Sequence, residues 1–117
     1  MSKIKFAIIG YGNIGKRHAQ HILANKEAKL VAVCDLPGFQ FDESLPEEVH
    51  RYDDIELLLK ECNADVINVC TPNYLHHTHT IQSLHSGKHV VCEKPMAVSA
   101  AQCDEMIAAA NQMQRTI

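Results

Sequence analysis

Short apolar runs alternate with amphipathic segments along this chain, and the alternation predicts strands and helices in turn. The run Phe6-Ala7-Ile8-Ile9 is almost continuously apolar, as in a parallel strand that is covered on both faces. Four later runs repeat the pattern. The predicted strands span residues 3–9, 30–34, 49–52, 65–70 and 89–92.

Helical periodicity fills most of the intervals between these strands, over residues 13–25, 53–62 and 74–86, and again from residue 99. Asp53 is a suitable N-cap for the second helix, Gly87 follows the third, and Ser99-x-x-Gln102 forms a capping box for the last. The first helix has an apolar stripe at Ile14, Ala19, Ile22 and Leu23. The stripe of the last helix comprises Cys103, Met106, Ile107, Ala110 and Met113.

Residues 36–48 interrupt this alternation, because Pro37, Gly38 and Pro46 prevent a continuous helix, and we expect a loop there. The other elements predict an α/β fold with one domain over residues 1–117. We expect a Rossmann-type, doubly wound parallel sheet in three α/β/α layers, with strand order 3-2-1-4-5. The last residues, Arg115-Thr116-Ile117, resemble the beginning of another strand, which indicates a truncated domain.

Three glycines with the spacing G-x-G-x-x-G follow the first strand. In a dinucleotide-binding turn the first glycine permits a tight turn, the second lets backbone approach a pyrophosphate, and the third lets the helix pack on the strand. The phosphates would lie at the helix N-terminus, where unpaired N–H groups and the macrodipole favour negative charge. The predicted phosphate-binding segment comprises Gly10, Tyr11, Gly12, Asn13, Ile14 and Gly15.

Asp35 ends the second strand, 20 residues after Gly15. A carboxylate at this place can accept hydrogen bonds from both hydroxyls of an adenosine ribose, and it would repel a 2′-phosphate. The neighbouring Leu36 brings no positive charge. We therefore expect NAD as the cofactor, with NADP disfavoured.

Ligands of a doubly wound sheet bind outside the carboxyl ends of the strands, near the switch between the first and fourth. This rule brings Thr71-Pro72-Asn73 and Glu93-Lys94-Pro95 to the crevice that holds the glycines. Lys94 is the candidate catalytic residue. Its ammonium could stabilise the alkoxide that develops as a hydroxyl-bearing carbon loses a hydride, or relay the hydroxyl proton. The alternative is an exposed lysine that pairs with Glu93.

Composition argues against several other classes of protein. The chain is 46% hydrophobic and 21% charged, and its net charge of −3 gives no basic field for nucleic acid or an anionic membrane. No apolar run is long enough to span a bilayer, so we expect a cytoplasmic protein.

The five cysteines form an odd set without a C-x-x-C pair, which favours core residues over disulfides. His76, His77 and His79 lack partners at metal-site spacing, and no metal is expected.

Four segments carry a resemblance to a known family: G-Y-G-N-I-G-K-R-H-A, V-C-D, T-P-N-Y-L-H and G-K-H-V-V-C-E-K-P-M-A. Over nearly its whole length the chain resembles the N-terminal domain of the Gfo/Idh/MocA family of NAD(P)-dependent sugar and polyol oxidoreductases. The T-P-N-Y-L-H segment and the irregular loop are similar to those of nucleotide-sugar dehydrogenases of lipopolysaccharide biosynthesis. The resemblance implies that a larger α/β substrate domain follows, which this chain lacks.

By motif, the resemblance implies that the Thr71-Pro72-Asn73 turn and His76 line the cofactor, and that Glu93, Lys94 and Pro95 lie beside the nicotinamide. It also implies a cis peptide bond before Pro95. The expected function is hydride transfer between a nicotinamide cofactor and a hydroxyl of a sugar, polyol or nucleotide sugar, with the full-length protein a homo-oligomer and this fragment alone inactive. The rival interpretation is a free-standing dinucleotide-binding or redox-sensing module without catalysis.

Overall fold

The computed structural model describes residues 2–117 and contains a five-stranded parallel sheet between helices. The strands are β1 Ile4–Ile9, β2 Ala28–Cys34, β3 His50–Tyr52, β4 Val66–Val69 and β5 His89–Cys92. The helices are α1 Asn13–Ala24, α2 Ile55–Glu61, α3 His76–His85 and α4 Ala100–Met113, and a 3₁₀ turn covers Asn73–Leu75. The strand order is β3-β2-β1-β4-β5, which confirms the predicted topology.

Successive side chains of β1 enter two separate cores, because side chains alternate along a strand. Ala7 packs on the face that α2 and α3 cover with Leu58 and Leu84, whereas Ile8 packs on the face covered by α1 and residues 36–49. Both faces of the sheet are therefore buried, as the continuous apolar run predicts.

The segment between β2 and β3 is irregular, as predicted, but it is also part of the core. Leu45 and Val49 are buried beneath the sheet face that α1 also covers. Phe39 and Phe41 pack against Tyr11, with ring centroids 6.5 and 5.5 Å away. These contacts let the segment replace the helix that a doubly wound fold commonly places here.

Two helix starts test the predicted caps, and one of them is displaced. The N-cap of α2 is Asp54, one residue later than the predicted Asp53, because the Asp54 backbone is extended and its carboxylate accepts a hydrogen bond from Glu56 N at 3.0 Å. For α4, Ser99 is the N-cap as predicted, and its Oγ accepts a hydrogen bond from Gln102 N at 3.2 Å. The Gln102 side chain accepts from Val98 N at 3.2 Å and not from Ser99 N, so the predicted capping box is only half formed.

The predicted apolar stripes are only partly buried. Ile14, Leu23 and Ile107 are 43, 45 and 46% exposed, so their inward placement is wrong. Each helix contacts the sheet along a narrower face than the stripe implied, and Ile14 instead lines the crevice described below. The buried positions of the two helices are Gly15, Ala19, Ile22, Met106, Ala109 and Ala110.

The last residues lie along the outer edge of β5. Val90 N donates a hydrogen bond to Thr116 O at 3.0 Å, and Arg115 Nε donates one to Gly87 O at 2.7 Å. Residues 115–117 do not form a strand, so the predicted further strand is represented only by these two hydrogen bonds to the β5 region.

Candidate dinucleotide-binding site

The carboxyl ends of β1, β2 and β4 open into one crevice of about 860 Å³, a size usual for a small-molecule site. It lies at the switch point of the sheet, where the first and fourth strands are neighbours. Predicted site residues that line it are Gly10, Gly12, Asn13, Ile14, Asp35, Thr71 and Pro72.

The three glycines of the turn have different surroundings. Gly10 has φ +91°, and a Cβ on it would lie 2.7 Å from the carbonyl of Cys70. A Cβ on Gly15 would lie 2.0 Å from Gly10 O, so α1 can approach β1 only without a side chain there. A Cβ on Gly12 would meet nothing within 4 Å. Gly10 and Gly15 are thus required by packing, whereas Gly12 leaves open space at the start of α1.

Helix α1 begins without any of the usual N-terminal partners. Its N-cap is Gly12, no side chain caps it, and its first turn contains no acidic residue. By contrast, α2 and α4 are capped by Asp54 and Ser99. The first N–H groups of α1 are therefore available to donate hydrogen bonds to an anion in the crevice. The positive end of the helix macrodipole would attract the same anion.

The Asp35 carboxylate is held in a fixed orientation at the end of β2. Its Oδ2 accepts a hydrogen bond from Tyr11 N and its Oδ1 accepts one from Leu36 N, both at 2.7 Å. Each oxygen retains further acceptor capacity. The glycine turn and the carboxylate are therefore parts of one hydrogen-bonded unit.

Further carboxylates line the same crevice as Asp35. Asp53, Asp54 and Glu56 also line the crevice, and no lysine or arginine is among the lining residues within 2–117. Sequence reasoning missed this group, although the carboxyl-end rule applied to β3 points to the D-D-I-E segment that follows it. His79, another lining residue, has its pKa lowered by burial and then by the nearby His76, which favours a neutral ring.

Two thiols form part of the apolar floor of the crevice. Burial raises the pKa of Cys34 to about 12, with Asp35 adding to the shift. The pKa of Cys70 is likewise raised to about 12 by burial, and Glu93 adds to it. Because a thiolate is the nucleophilic form, neither side chain is suited to react near neutral pH. They provide uncharged contact surface.

His76 has a different position from the one predicted. It is 1% exposed and does not line the crevice. Its Nδ1 lies 2.7 Å from Pro95 O and its Nε2 lies 2.7 Å from Thr71 O. Both nitrogens face backbone carbonyls, and a neutral ring can donate to only one of them. His76 thus lies between the Thr71 turn and the Pro95 turn.

Other predicted residues also lie outside the lining of the crevice. The Tyr11 side chain is buried among Phe39 and Phe41, so Tyr11 contributes through its backbone. Gly15 lies beneath Gly10. The exposed Asn73 begins the 3₁₀ turn.

The turn after β5 carries the candidate catalytic lysine, and its residues Glu93, Lys94 and Pro95 are not among those that line the crevice, contrary to the prediction. The Lys94–Pro95 peptide bond is cis, as the resemblance implies. Lys94 is exposed and takes part in none of the ion pairs among residues 2–117. Glu93 bonds instead to His18: the distance from Glu93 Oε2 to His18 Nε2 is 2.7 Å. This hydrogen bond makes the largest contribution to the lowered pKa of Glu93. Sequence reasoning gave His18 no role, although it stands in the quoted glycine segment.

Within residues 2–117, no cluster of three or more histidine, cysteine, aspartate or glutamate side chains could hold a metal ion. Across the same residues, no helix combines the length and apolar character needed to cross a membrane.

The chain as a whole was compared with known proteins and protein families. The model of the Gfo/Idh/MocA group, described as an oxidoreductase family with an NAD-binding Rossmann fold, matches residues 4–117. The chain belongs to this family. D-glucoside 3-dehydrogenase of Escherichia coli K12 is 36% identical, a match that covers 99% of this chain and 34% of that protein.

Two further Gfo/Idh/MocA relatives have similar coverage. Inositol 2-dehydrogenase of Salmonella typhimurium LT2 is 33% identical over 91% of this chain and 33% of its own length. The crystal structure of the WlbA dehydrogenase from Bordetella pertussis, in complex with NADH and UDP-GlcNAcA, superposes with a TM-score of 0.83 at 29% identity. It covers 97% of this chain and 35% of that one. The chain spans about a third of the length of these relatives.

Proposed function

We propose that this chain is the NAD-binding domain of a longer dehydrogenase, which transfers a hydride between nicotinamide and a hydroxyl-bearing carbon of a sugar, polyol or nucleotide sugar. The observation that carries the proposal is that an uncapped helix N-terminus and an oriented carboxylate line the same crevice. The helix N-terminus suits a pyrophosphate, and the carboxylate suits the two hydroxyls of a ribose.

The glycine turn fits a pyrophosphate. The open space at the Cβ position of Gly12 would accept phosphate oxygens, and a side chain there would fill that space. The N–H groups of Asn13 and Ile14, in the uncapped first turn of α1, would donate to them. Asp35 would accept from the ribose hydroxyls, and Thr71 and Pro72 would support the nicotinamide side.

The charges around Asp35 favour NAD over NADP. A 2′-phosphate would meet Asp35 together with Asp53, Asp54 and Glu56, and no lysine or arginine among the described lining residues offsets them. Like charges about 4 Å apart repel by roughly 1 kcal/mol in water and by roughly 4 kcal/mol at an effective dielectric of 20. We expect NADH to bind at least about tenfold more tightly than NADPH, since tenfold corresponds to about 1.4 kcal/mol.

Lys94 is our candidate for the catalytic residue. When bound, the nicotinamide accepts or returns the hydride. As a carbon loses its hydride, the attached hydroxyl must lose its proton; the Lys94 ammonium within hydrogen-bond reach would stabilise the alkoxide, or its neutral amine would take up that proton. Because Glu93 bonds to His18, the Lys94 ammonium is available for this role.

The sugar would be held largely by a second domain, and the homo-oligomer interface would lie there too. The sugar, polyol and nucleotide-sugar names of the relatives set the substrate class that we propose. The cysteines are free thiols, as is usual in a reducing compartment, and on this ground we place the protein in the cytoplasm.

The test is calorimetric titration of NADH and NADPH into the chain, with the variant Asp35→Asn. We expect the preference for NADH to shrink severalfold in Asp35→Asn, because the carboxylate charge is lost. Asp65→Asn is the matched control, since Asp65 also accepts a backbone hydrogen bond, from Lys5 N at 2.9 Å, but lies at the amino end of β4. Failure of the wild-type chain to bind either dinucleotide would contradict the cofactor assignment. An equal loss of preference in Asp65→Asn would contradict the role of Asp35.

A further inference from the structure

Asn68 is an unexpected residue for the middle of a buried parallel strand. It is 5% exposed, and its neighbours Ile67 and Val69 are fully buried. A buried amide costs free energy unless it is hydrogen-bonded, and an apolar residue would serve the fold as well. The Asn68 Nδ2 group donates to His18 Nδ1 at 2.8 Å. The amide nitrogen therefore has a defined partner on the helix that covers this face of the sheet, whereas the buried Asn68 Oδ1 has no partner among the described residues.

His18 contacts Glu93 through its other ring nitrogen. Because its Nδ1 accepts from the amide, the ring carries its proton on Nε2, which lies 2.7 Å from Glu93 Oε2. The His18 side chain is only 16% exposed. The three side chains come from β4, from α1 and from the turn after β5, and they form a continuous chain of hydrogen bonds.

Glu93 connects this chain to the candidate catalytic residue. Its second oxygen, Oε1, accepts a hydrogen bond from Lys94 N at 3.3 Å. One carboxylate is thus bound by a histidine on one side and by the backbone of Lys94 on the other. A carboxylate released from His18 would be free to approach the Lys94 ammonium, to which it is adjacent in sequence.

We propose that His18, oriented by Asn68, is a positioning residue for hydride transfer. It holds Glu93 away from the Lys94 ammonium and fixes the backbone from which Lys94 reaches the substrate. The inference rests on the proposed function and adds residues to its site. It assigns a role to the only polar side chain that β4 places inside the sheet between Val66 and Val69.

The kinetic test uses the full-length enzyme and two amide variants of different reach. The amide of His18→Gln can occupy the place of Nε2 and donate to Glu93, whereas that of His18→Asn reaches only the place of Nδ1. We expect His18→Asn to lower kcat by up to about 100-fold, the scale of a misplacement near 1 Å, without changing KM for NADH. His18→Gln is expected to retain most of kcat. Equal kcat in the two variants would overturn the proposal, since a merely space-filling histidine would not distinguish them.

The second measurement uses the 117-residue chain and needs no turnover. Long-range ¹H–¹⁵N spectra of histidine rings show which nitrogen carries a hydrogen, and we expect one on His18 Nε2. Exposed His21 on the same helix is the internal reference. A ring protonated on Nδ1 alone would overturn the proposal, because it would have no hydrogen for Glu93. A chain that shows hydrogen on Nε2 but binds no NADH would contradict the proposed function and leave the positioning contact intact.

Discussion

Gly12 differs from the two other glycines of its turn in what surrounds it. Gly10 and Gly15 face backbone atoms of Cys70 and of Gly10 itself, at distances that no side chain could occupy. Gly12 faces open space at the beginning of α1. The motif therefore combines two residues required by packing with one that leaves room for a ligand, and the two requirements can be separated experimentally.

We expect Gly15→Ala to destabilise the fold by about 1–3 kcal/mol or more, the usual range for overpacking, because its Cβ would lie 2.0 Å from Gly10 O. Gly12→Ala should cost at most about 1 kcal/mol, because alanine is a poorer N-cap than glycine, and it should weaken NADH binding, since its methyl group occupies the phosphate space. Urea denaturation and calorimetry would measure the two effects. If Gly12→Ala bound NADH as tightly as the wild type, the phosphate would not lie there.

His79 predicts a dependence of stability on pH. Its pKa is lowered in the folded chain, first by burial and then by His76, from an ordinary value of 6.5. In the window below that value the unfolded chain binds a proton that the folded chain does not, so stability falls as the pH decreases. We expect His79→Gln to reduce the loss of stability between about pH 7 and pH 5, as measured by urea denaturation. The exposed His85→Gln is the control, and an equal reduction there would contradict the assignment.

At the scale of elements, the sequence predicted which strands and helices are present, and in which order, better than it predicted the residues at which they begin and end. Periodicity identified every strand and helix, because the apolar runs and the caps are local signals. The displaced start of α2 shows the limit: Asp53 and Asp54 are both good caps, and only the backbone conformation decides between them. The exposure of Ile107 shows a second limit of the sequence prediction. How wide a face of α4 is buried depends on what the helix packs against, which the periodicity does not reveal.

The two aspartates before α2 make this distinction testable. Asp54→Ala should destabilise the chain by about 1 kcal/mol, because it removes the acceptor of Glu56 N. Asp53→Ala lacks this loss and should change the free energy of unfolding by less than about 0.5 kcal/mol, as other exposed positions do. Denaturant midpoints of the two variants give the comparison. Equal destabilisation would mean that the two carboxylates share the cap.

At the scale of the whole molecule, topology predicted which segments meet and left the contacts between them open. The carboxyl-end rule brought the glycine turn, Asp35 and the Thr71 turn to one crevice, as the structure has them, but it also placed Glu93-Lys94-Pro95 there, and these residues do not line it. It could not show that His76 points inward, nor that His18 reaches Glu93, 75 residues away in sequence. Such contacts depend on side-chain directions across elements, for which a single sequence carries no local signal.

The outer edge of β5 allows a final prediction about the sheet as a unit. Val90 N is bonded to Thr116 O, whereas His89 N and Glu93 N are bonded to β4 and its flanks through Asp65 O and Val69 O. Removal of residues 115–117 should therefore speed amide hydrogen exchange at Val90 by roughly fivefold or more, which corresponds to the net loss of one hydrogen bond of about 1 kcal/mol. The amide of Glu93 serves as the control in the same spectra, and we expect its exchange rate to stay constant; His89 is unsuitable because its Nδ1 accepts a hydrogen bond from Thr116 N. Equal acceleration of Val90 and Glu93 would instead show that the terminal residues stabilise the entire sheet, because exchange would then follow global unfolding.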